Sequence, residues 1–240
     1  MCTLSWALVP GGYALAMNRD ERRTRARGIP PAPQLIRRVL VLMPTDPEGG
    51  GSWISVNQLR MSLALLNRYE ESPQDPAPGG AFRSRGLLVR ELAWAAGPDE
   101  VARECESMPL QPYRPFTLAC QALGGVPHLF EWDGRRLARS TVPEPGLVRA
   151  SSGSDQAQAE HVRGELFRAG SREPGGLTAA TLERLHRSHL PKRGAISICM
   201  HREEAQSVSL SLITATEKTT SIYYVDGPPG ETPHGILNSL

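Results

Sequence analysis

The opening of the chain constrains its fold most. An apolar run from Cys2 to Val9 meets Pro10-Gly11-Gly12, and a second apolar run from Tyr13 to Met17 then ends in Asn18-Arg19-Asp20-Glu21. Proline presets one backbone angle and glycine tolerates the others that a tight reversal needs, so the two runs predict an antiparallel β-hairpin. Such a hairpin returns the end of its second strand to the start of its first. Asn18 and Asp20 are therefore expected near Cys2.

Cys2 directly follows the initiator methionine. If Met1 is removed, one residue carries both a thiol, the most nucleophilic of the side-chain groups, and an α-amine whose pKa of about 7.7 to 8 makes it a base at neutral pH. The alternative reading is a small apolar residue that begins a strand.

Further markers recur in order along the chain: Met1-Cys2-Thr3, Asn18-Arg19-Asp20-Glu21, Gly50-Gly51-Ser52-Trp53-Ile54, Ala64-Leu65-Leu66-Asn67-Arg68 and Ser84-Arg85-Gly86-Leu87-Leu88, with Tyr113-Arg114-Pro115-Phe116 and Cys199-Met200-His201-Arg202 as weaker ones. The ordered set resembles the NRDE family, which also contains the transport and Golgi organisation 2 proteins. That resemblance implies an α+β fold, a four-layer αββα sandwich of the N-terminal-nucleophile hydrolase type, whose better studied members include amidases with an N-terminal cysteine. It implies Cys2 as nucleophile, Asp20 as the acid that hydrogen-bonds near the nucleophile and its amine, and Asn67 as an oxyanion donor. One such donor is worth roughly 3 to 4 kcal/mol in the transition state.

Asn18 and Arg19 match the motif as supporting residues. The cysteine amidases carry an arginine just before this asparagine, whereas this chain has Met17, and alternation along a strand is expected to turn Arg19 to the other face. Near Ser152 many relatives have an asparagine. A serine hydroxyl there can donate a single hydrogen bond, or the serine or aspartate before the periodic stretch Gln156 to Phe167 can act as a helix N-cap.

Composition sets bounds. A chain of 240 residues with 40% hydrophobic content is long enough to bury one large core, so residues 1–240 read as a single domain. A net charge of +2 gives no reason to expect nucleic acid or an acidic membrane as partner. Arg19 to Arg38 holds seven arginines with no aromatic residue between them for base stacking, so it reads as a solvated arm or loop. No apolar run approaches the roughly 20 residues of a membrane span. Ala14-Leu15-Ala16 mimics a signal-cleavage site, but the run lacks a basic start and Pro10-Gly11-Gly12 interrupts it, so a cytoplasmic protein is expected.

The four cysteines, Cys2, Cys105, Cys120 and Cys199, lack zinc-site spacing and read as free thiols in a reducing compartment, buried apart from Cys2 if it is the nucleophile. His186 and His189 stand three apart on an expected helix without a third ligand nearby, and His201 reads as structural, so no metal and no cofactor is expected.

Periodicity and turn residues predict further strands at Val39 to Met43, Ser52 to Asn57, Met61 to Asn67, Phe116 to Leu123, His128 to Trp132, Leu137 to Val142, Ala195 to His201, Val208 to Thr216 and Ser221 to Val225. Helices are expected at Arg85 to Ala96, Asp99 to Ser107, Gln156 to Arg168 and Thr178 to His189. Glu71 to Ala81, rich in proline, reads as a loop beside Asn67. Two functions fit: a cysteine hydrolase cleaving the amide bond of a small molecule, or a non-catalytic descendant that binds a small ligand or a trafficking partner. Substrate identity and oligomeric state stay open.

Overall fold

The computed structural model describes residues 2–69, 82–153 and 155–240; the expected loop Glu71 to Ala81 lies outside them. In chain order the elements are β1 (Cys2–Val9), β2 (Gly12–Arg22), β3 (Ile29–Ile36), β4 (Val39–Thr45), β5 (Ile54–Asn57), β6 (Ser62–Asn67), α1 (Gly86–Leu92), α2 (Pro98–Ser107) and β7 (Phe116–Gln121). They continue with β8 (His128–Trp132), β9 (Leu137–Thr141), β10 (Gly146–Ser151), α3 (Gln156–Ser171), α4 (Ala179–His186), β11 (Ala205–Thr216), β12 (Thr220–Asp226) and β13 (Ile236–Ser239).

The opening hairpin forms as expected, with Cys2 opposite Arg19 and Val9 opposite Gly12, and Gly11 takes the positive φ of 74° that closes the turn. Its alternation sorts side chains into two layers. Leu4, Trp6, Tyr13, Leu15 and Met17 face one side, where they meet Leu42, Ile54, Val56, Ala64 and Leu66 of a second sheet. Ala7, Ala14 and Ala16 face the other, where small side chains leave room for Phe167 of α3 and Leu182 and Leu185 of α4. The first sheet has the order β10-β1-β2-β11-β12-β13 and the second β3-β4-β5-β6-β7-β8-β9. On the outer face of the second sheet, Leu88, Val89 and Leu92 of α1 and Val101 and Cys105 of α2 cover Leu63, Leu65, Leu118 and Phe130. Two helices, two antiparallel sheets and two helices therefore stack as the expected αββα sandwich. Each large apolar side chain so buried contributes about 1.5 to 3 kcal/mol, which makes the three apolar layers the main source of cohesion.

A buried tyrosine links the sheets through the middle layer. The Tyr13 hydroxyl of β2 lies 2.7 Å from Ser62 Oγ and 3.1 Å from the carbonyl oxygens of Arg60 and Gln121. Carbonyls only accept, so the tyrosine proton goes to them and Ser62 donates to the tyrosine.

Several sequence expectations are corrected. The stretch from Arg19 to Arg38 is no solvated arm: β2 runs on to Arg22, and Ile29–Ile36 is an edge strand of the second sheet, where Pro30, Pro31 and Pro33 are tolerated because one side needs no partner. Arg25 pairs with Asp46 at 2.6 Å. The apolar run from Ala195 to His201 is buried but not a strand. It is held instead by the Cys199 N–H on the Ser188 carbonyl and the His201 N–H on the Gly194 carbonyl, both at 3.0 Å. The helix expected over Arg85 to Ala96 ends at Leu92, because Asn57 Nδ2 takes the carbonyls of Ala93 and Ala95 at 2.9 and 2.8 Å. Strands β10 and β13 were not expected.

Candidate active site

Cys2 and Arg19 are direct cross-strand partners, and such partners project to the same face. Alternation does separate Arg19 from Asn18, but it returns Arg19 to the face of Met17 and Cys2. The expectation that Arg19 turns to the other face is therefore corrected: it shares the face of Cys2. Its guanidinium stacks 4.3 Å from the Trp53 ring centroid and lies 3.7 Å from both Glu21 and Asp46, so its charge is balanced and its position fixed.

Cys2, Arg19, Asp20, Asn67 and Arg85 all line one cavity of about 810 Å³, large enough for a drug-sized molecule. Cys2 is only 7% exposed. Burial pushes its thiol above the ordinary range and the nearby Asp20 charge adds to that, while the Asp20 backbone N–H and Arg19 act in the opposite direction. At neutral pH the sulfur therefore keeps its proton, and a nucleophilic role requires a base at hand.

Asp20 is the next residue along β2, and its carboxylate is held from the helical side. Ser207 Oγ donates to its Oδ1 at 2.5 Å. Burial raises its pKa, and the strongest opposing influence is the charge of Arg163. Arg163 was missed at the sequence level. It is 1% exposed in α3 and donates to Thr3 Oγ1 at 2.7 Å and to the Ile196 and Ala195 carbonyls at 3.2 and 3.4 Å. Its signal was its spacing: it stands four residues after Ala159 and four before Phe167, on the buried stripe of the helix.

Asn67, at the end of β6, accepts a 2.5 Å hydrogen bond from Ser151 Oγ through its backbone carbonyl, and Ser151 is the β10 partner of Cys2. Its side-chain Nδ2 donates to the Tyr69 hydroxyl at 3.0 Å. Asn18 is in register with Thr3 and does not line the cavity. Its Nδ2 donates to the carbonyls of His186 and Ile198 at 2.8 and 3.1 Å. Its Oδ1 lies 3.1 Å from His186 Nδ1, and Ser5 Oγ lies 2.8 Å from His186 Nε2. Burial, helped by Arg163, lowers the pKa of His186 to about 3. The ring is therefore neutral, with Nδ1–H donating to Asn18 and Nε2 accepting from Ser5.

Ser152 is also outside the cavity. Its Oγ accepts from Arg202 Nη2 at 3.0 Å, and the helix cap that it was a candidate for is Asp155, whose side chain accepts from the Gln158 N–H at 3.0 Å. All four cysteines are free and buried, and among the described residues no helix is long and apolar enough to cross a membrane.

Comparison with solved structures shows the same fold. Penicillin V acylase from Agrobacterium tumefaciens superposes with a TM-score of 0.60 at 11% identity, covering 100% of this chain and 86% of that one. A variant of the conjugated bile acid hydrolase from Clostridium perfringens gives 0.60 at 11% identity over 100% and 92% of the two chains. A Caenorhabditis elegans ortholog of N-acylethanolamine-hydrolyzing acid amidase gives 0.62 at 11% identity over 89% and 92%. No protein of curated function matches the sequence significantly. The Transport and Golgi organisation 2 family does match, over residues 1–165, well over half of the chain, and the protein belongs to that family.

Proposed function

We propose that the protein is a cysteine hydrolase of the N-terminal-nucleophile kind that cleaves the carbon–nitrogen bond of a small amide. The observation that carries this reading is the register of Cys2 against Arg19, which turns thiol and guanidinium into one cavity beside Asp20. With Met1 removed, the α-amine of Cys2 takes the thiol proton as sulfur attacks the carbonyl carbon, and the same proton passes to the leaving amine. Water then hydrolyses the thioester and restores the thiol. Asn67 Nδ2 donates to the oxyanion, and Asp20 orients the protonated amine. Asn18 and Ser152 support the walls from outside the cavity. Four free thiols favour a cytoplasmic setting.

A second reading is a binding protein on the same scaffold. It is favoured by Met17, which lies in the apolar middle layer where the amidases carry an arginine, and by a thiol whose burial holds it protonated. Intact mass first establishes whether Met1 is lost. Processed protein is then tested against a panel of acyl amides, with Cys2→Ser as control. Turnover abolished by Cys2→Ser supports the hydrolase; saturable binding of the amides without turnover supports the binder.

A further inference from the structure

His189, Cys199 and His201 take no part in that chemistry, yet their side chains converge. The sequence reading paired His189 with His186 and found no third ligand. The fold instead ends α4 at His186, engages that ring with Asn18 and Ser5, and leaves His189 in the following segment, facing the buried run that carries Cys199 and His201. His189 Nε2 lies 2.9 Å from His201 Nε2, Cys199 Sγ lies 3.7 Å from the same His201 nitrogen, and all three ligand atoms fall within 4.8 Å of one another.

We propose that His189, Cys199 and His201 bind a zinc ion, with Glu231 as fourth ligand. Zinc bonds of about 2.0 to 2.3 Å in a tetrahedron set ligand atoms about 3.3 to 3.6 Å apart, so the spacing between Cys199 and His201 already fits, the two imidazoles need only open slightly, and His189 and Cys199, within 4.8 Å, draw together on the ion. Glu231 Oε1 is 4.0 Å from His201 Nε2 and must turn towards the other donors to complete the set. Two imidazoles, one thiolate and one carboxylate suit zinc, a borderline ion that takes nitrogen, sulfur and oxygen together.

One backbone contact suits a metal-bound sulfur. The Gly230 N–H points at Cys199 Sγ at 3.4 Å, the kind of outer contact that steadies a metal-bound sulfur. A side chain at that position would meet His189 Cε1 at 2.5 Å, so only glycine lets this backbone approach both ligands. Arg193 pairs with Glu231 and lies 3.3 Å from His201 Nδ1. With Arg193 donating there, His201 carries its proton on Nε2 and gives it to His189. Zinc replaces that proton: it moves to His201 Nδ1, Arg193 withdraws into solvent, Cys199 releases its thiol proton, and Glu231 turns to the ion.

The site would brace the nucleophile's surroundings from behind. Met200, between two of the ligands, receives the Ser207 N–H on its carbonyl and donates its own N–H to Ser207 Oγ, both at 2.8 Å. Ser207 is the donor to Asp20. This inference is independent of whether the cavity catalyses.

The test is metal content and cobalt spectroscopy. Protein stripped by chelator, re-equilibrated with zinc and desalted is expected to retain one zinc per chain. Cobalt substitution is expected to produce a thiolate-to-cobalt charge-transfer band and the intense visible bands of a tetrahedral site. Cys199→Ser should remove the charge-transfer band. His189→Gln, which changes a half-buried residue and keeps the fold by circular dichroism, should weaken zinc binding by at least about tenfold against a chromophoric chelator. Cys2→Ser should leave zinc binding unchanged. Failure to retain zinc, a cobalt spectrum without a sulfur band, or an unchanged affinity in His189→Gln would overturn the proposal.

Discussion

Ser207 reaches Asp20 across an irregularity in the β2–β11 ladder, where Ser207 opposes Asp20 but Ser209, not Val208, opposes Arg19. Alternation along β2 gives Arg19 to the cavity, while Asp20 is gripped from the helical side. Ser207→Ala leaves a buried carboxylate oxygen without this donor. The expected cost is about 1 to 3 kcal/mol, read as a lower urea midpoint with an unchanged slope. An unchanged midpoint would show that the contact contributes nothing net.

His186 makes stability depend on acid. Its pKa is about 3 in the folded protein against 6.5 for an ordinary histidine, so the unfolded chain binds a proton that the native state refuses. The contribution is fully present above pH 6.5 and is lost as pH falls towards 3, at up to about 1.4 kcal/mol per pH unit. His186→Gln should lower stability at neutral pH but lose less between pH 6.5 and 4.5 than the parent. Parallel slopes in urea titrations at the two pH values would contradict this.

Thiol labelling separates access from acidity. Burial pushes Cys105 up to about 12 and Cys199 up to about 11, and Cys2 is raised as well, so no thiol has an acidity advantage at neutral pH. Cys2 lines the open cavity, however, and should be the first alkylated by limiting iodoacetamide, at a rate that climbs between pH 7 and 9. Peptide mapping that finds Cys105 modified first would reject this order.

Asn67→Ala tests the oxyanion role directly. If the amide leaves Tyr69 to meet charge that develops only in the transition state, kcat should fall by about 100- to 1000-fold with little change in KM. Full activity in the variant would remove Asn67 from the mechanism.

The layered fold was legible because most of its elements obey local rules. The hairpin at Pro10-Gly11-Gly12 and Pro98 at the first position of α2 carried their signals in single residues. Strand β3 did not. Its three prolines argue against a strand unless it is known to lie at an edge, and its turn places Arg37 and Arg38 at φ of 45° and 68°, positions that usually advertise themselves with asparagine or glycine. The 195–201 run misled for the opposite reason: burial alone produces an apolar stretch, and strand pairing is decided by distant partners. Arg163 was legible only as a charge on an apolar stripe, and its partners Thr3 and Asp20 lie too far away in the chain to be read from spacing.

Tyr13 has a mechanical consequence. Two apolar sheet faces can slide over one another with little change in buried area, as oil films can, so the middle layer alone does not index one sheet to the other. A hydroxyl with one proton and three partners on the opposite sheet is satisfied at a single offset. It acts as a detent. Since Cys2 and Arg19 ride on one sheet while Asn67 and Trp53 ride with the other, a phenol at the far end of the same hairpin joins the Ser151–Asn67 bond in holding the cavity's two walls in one alignment.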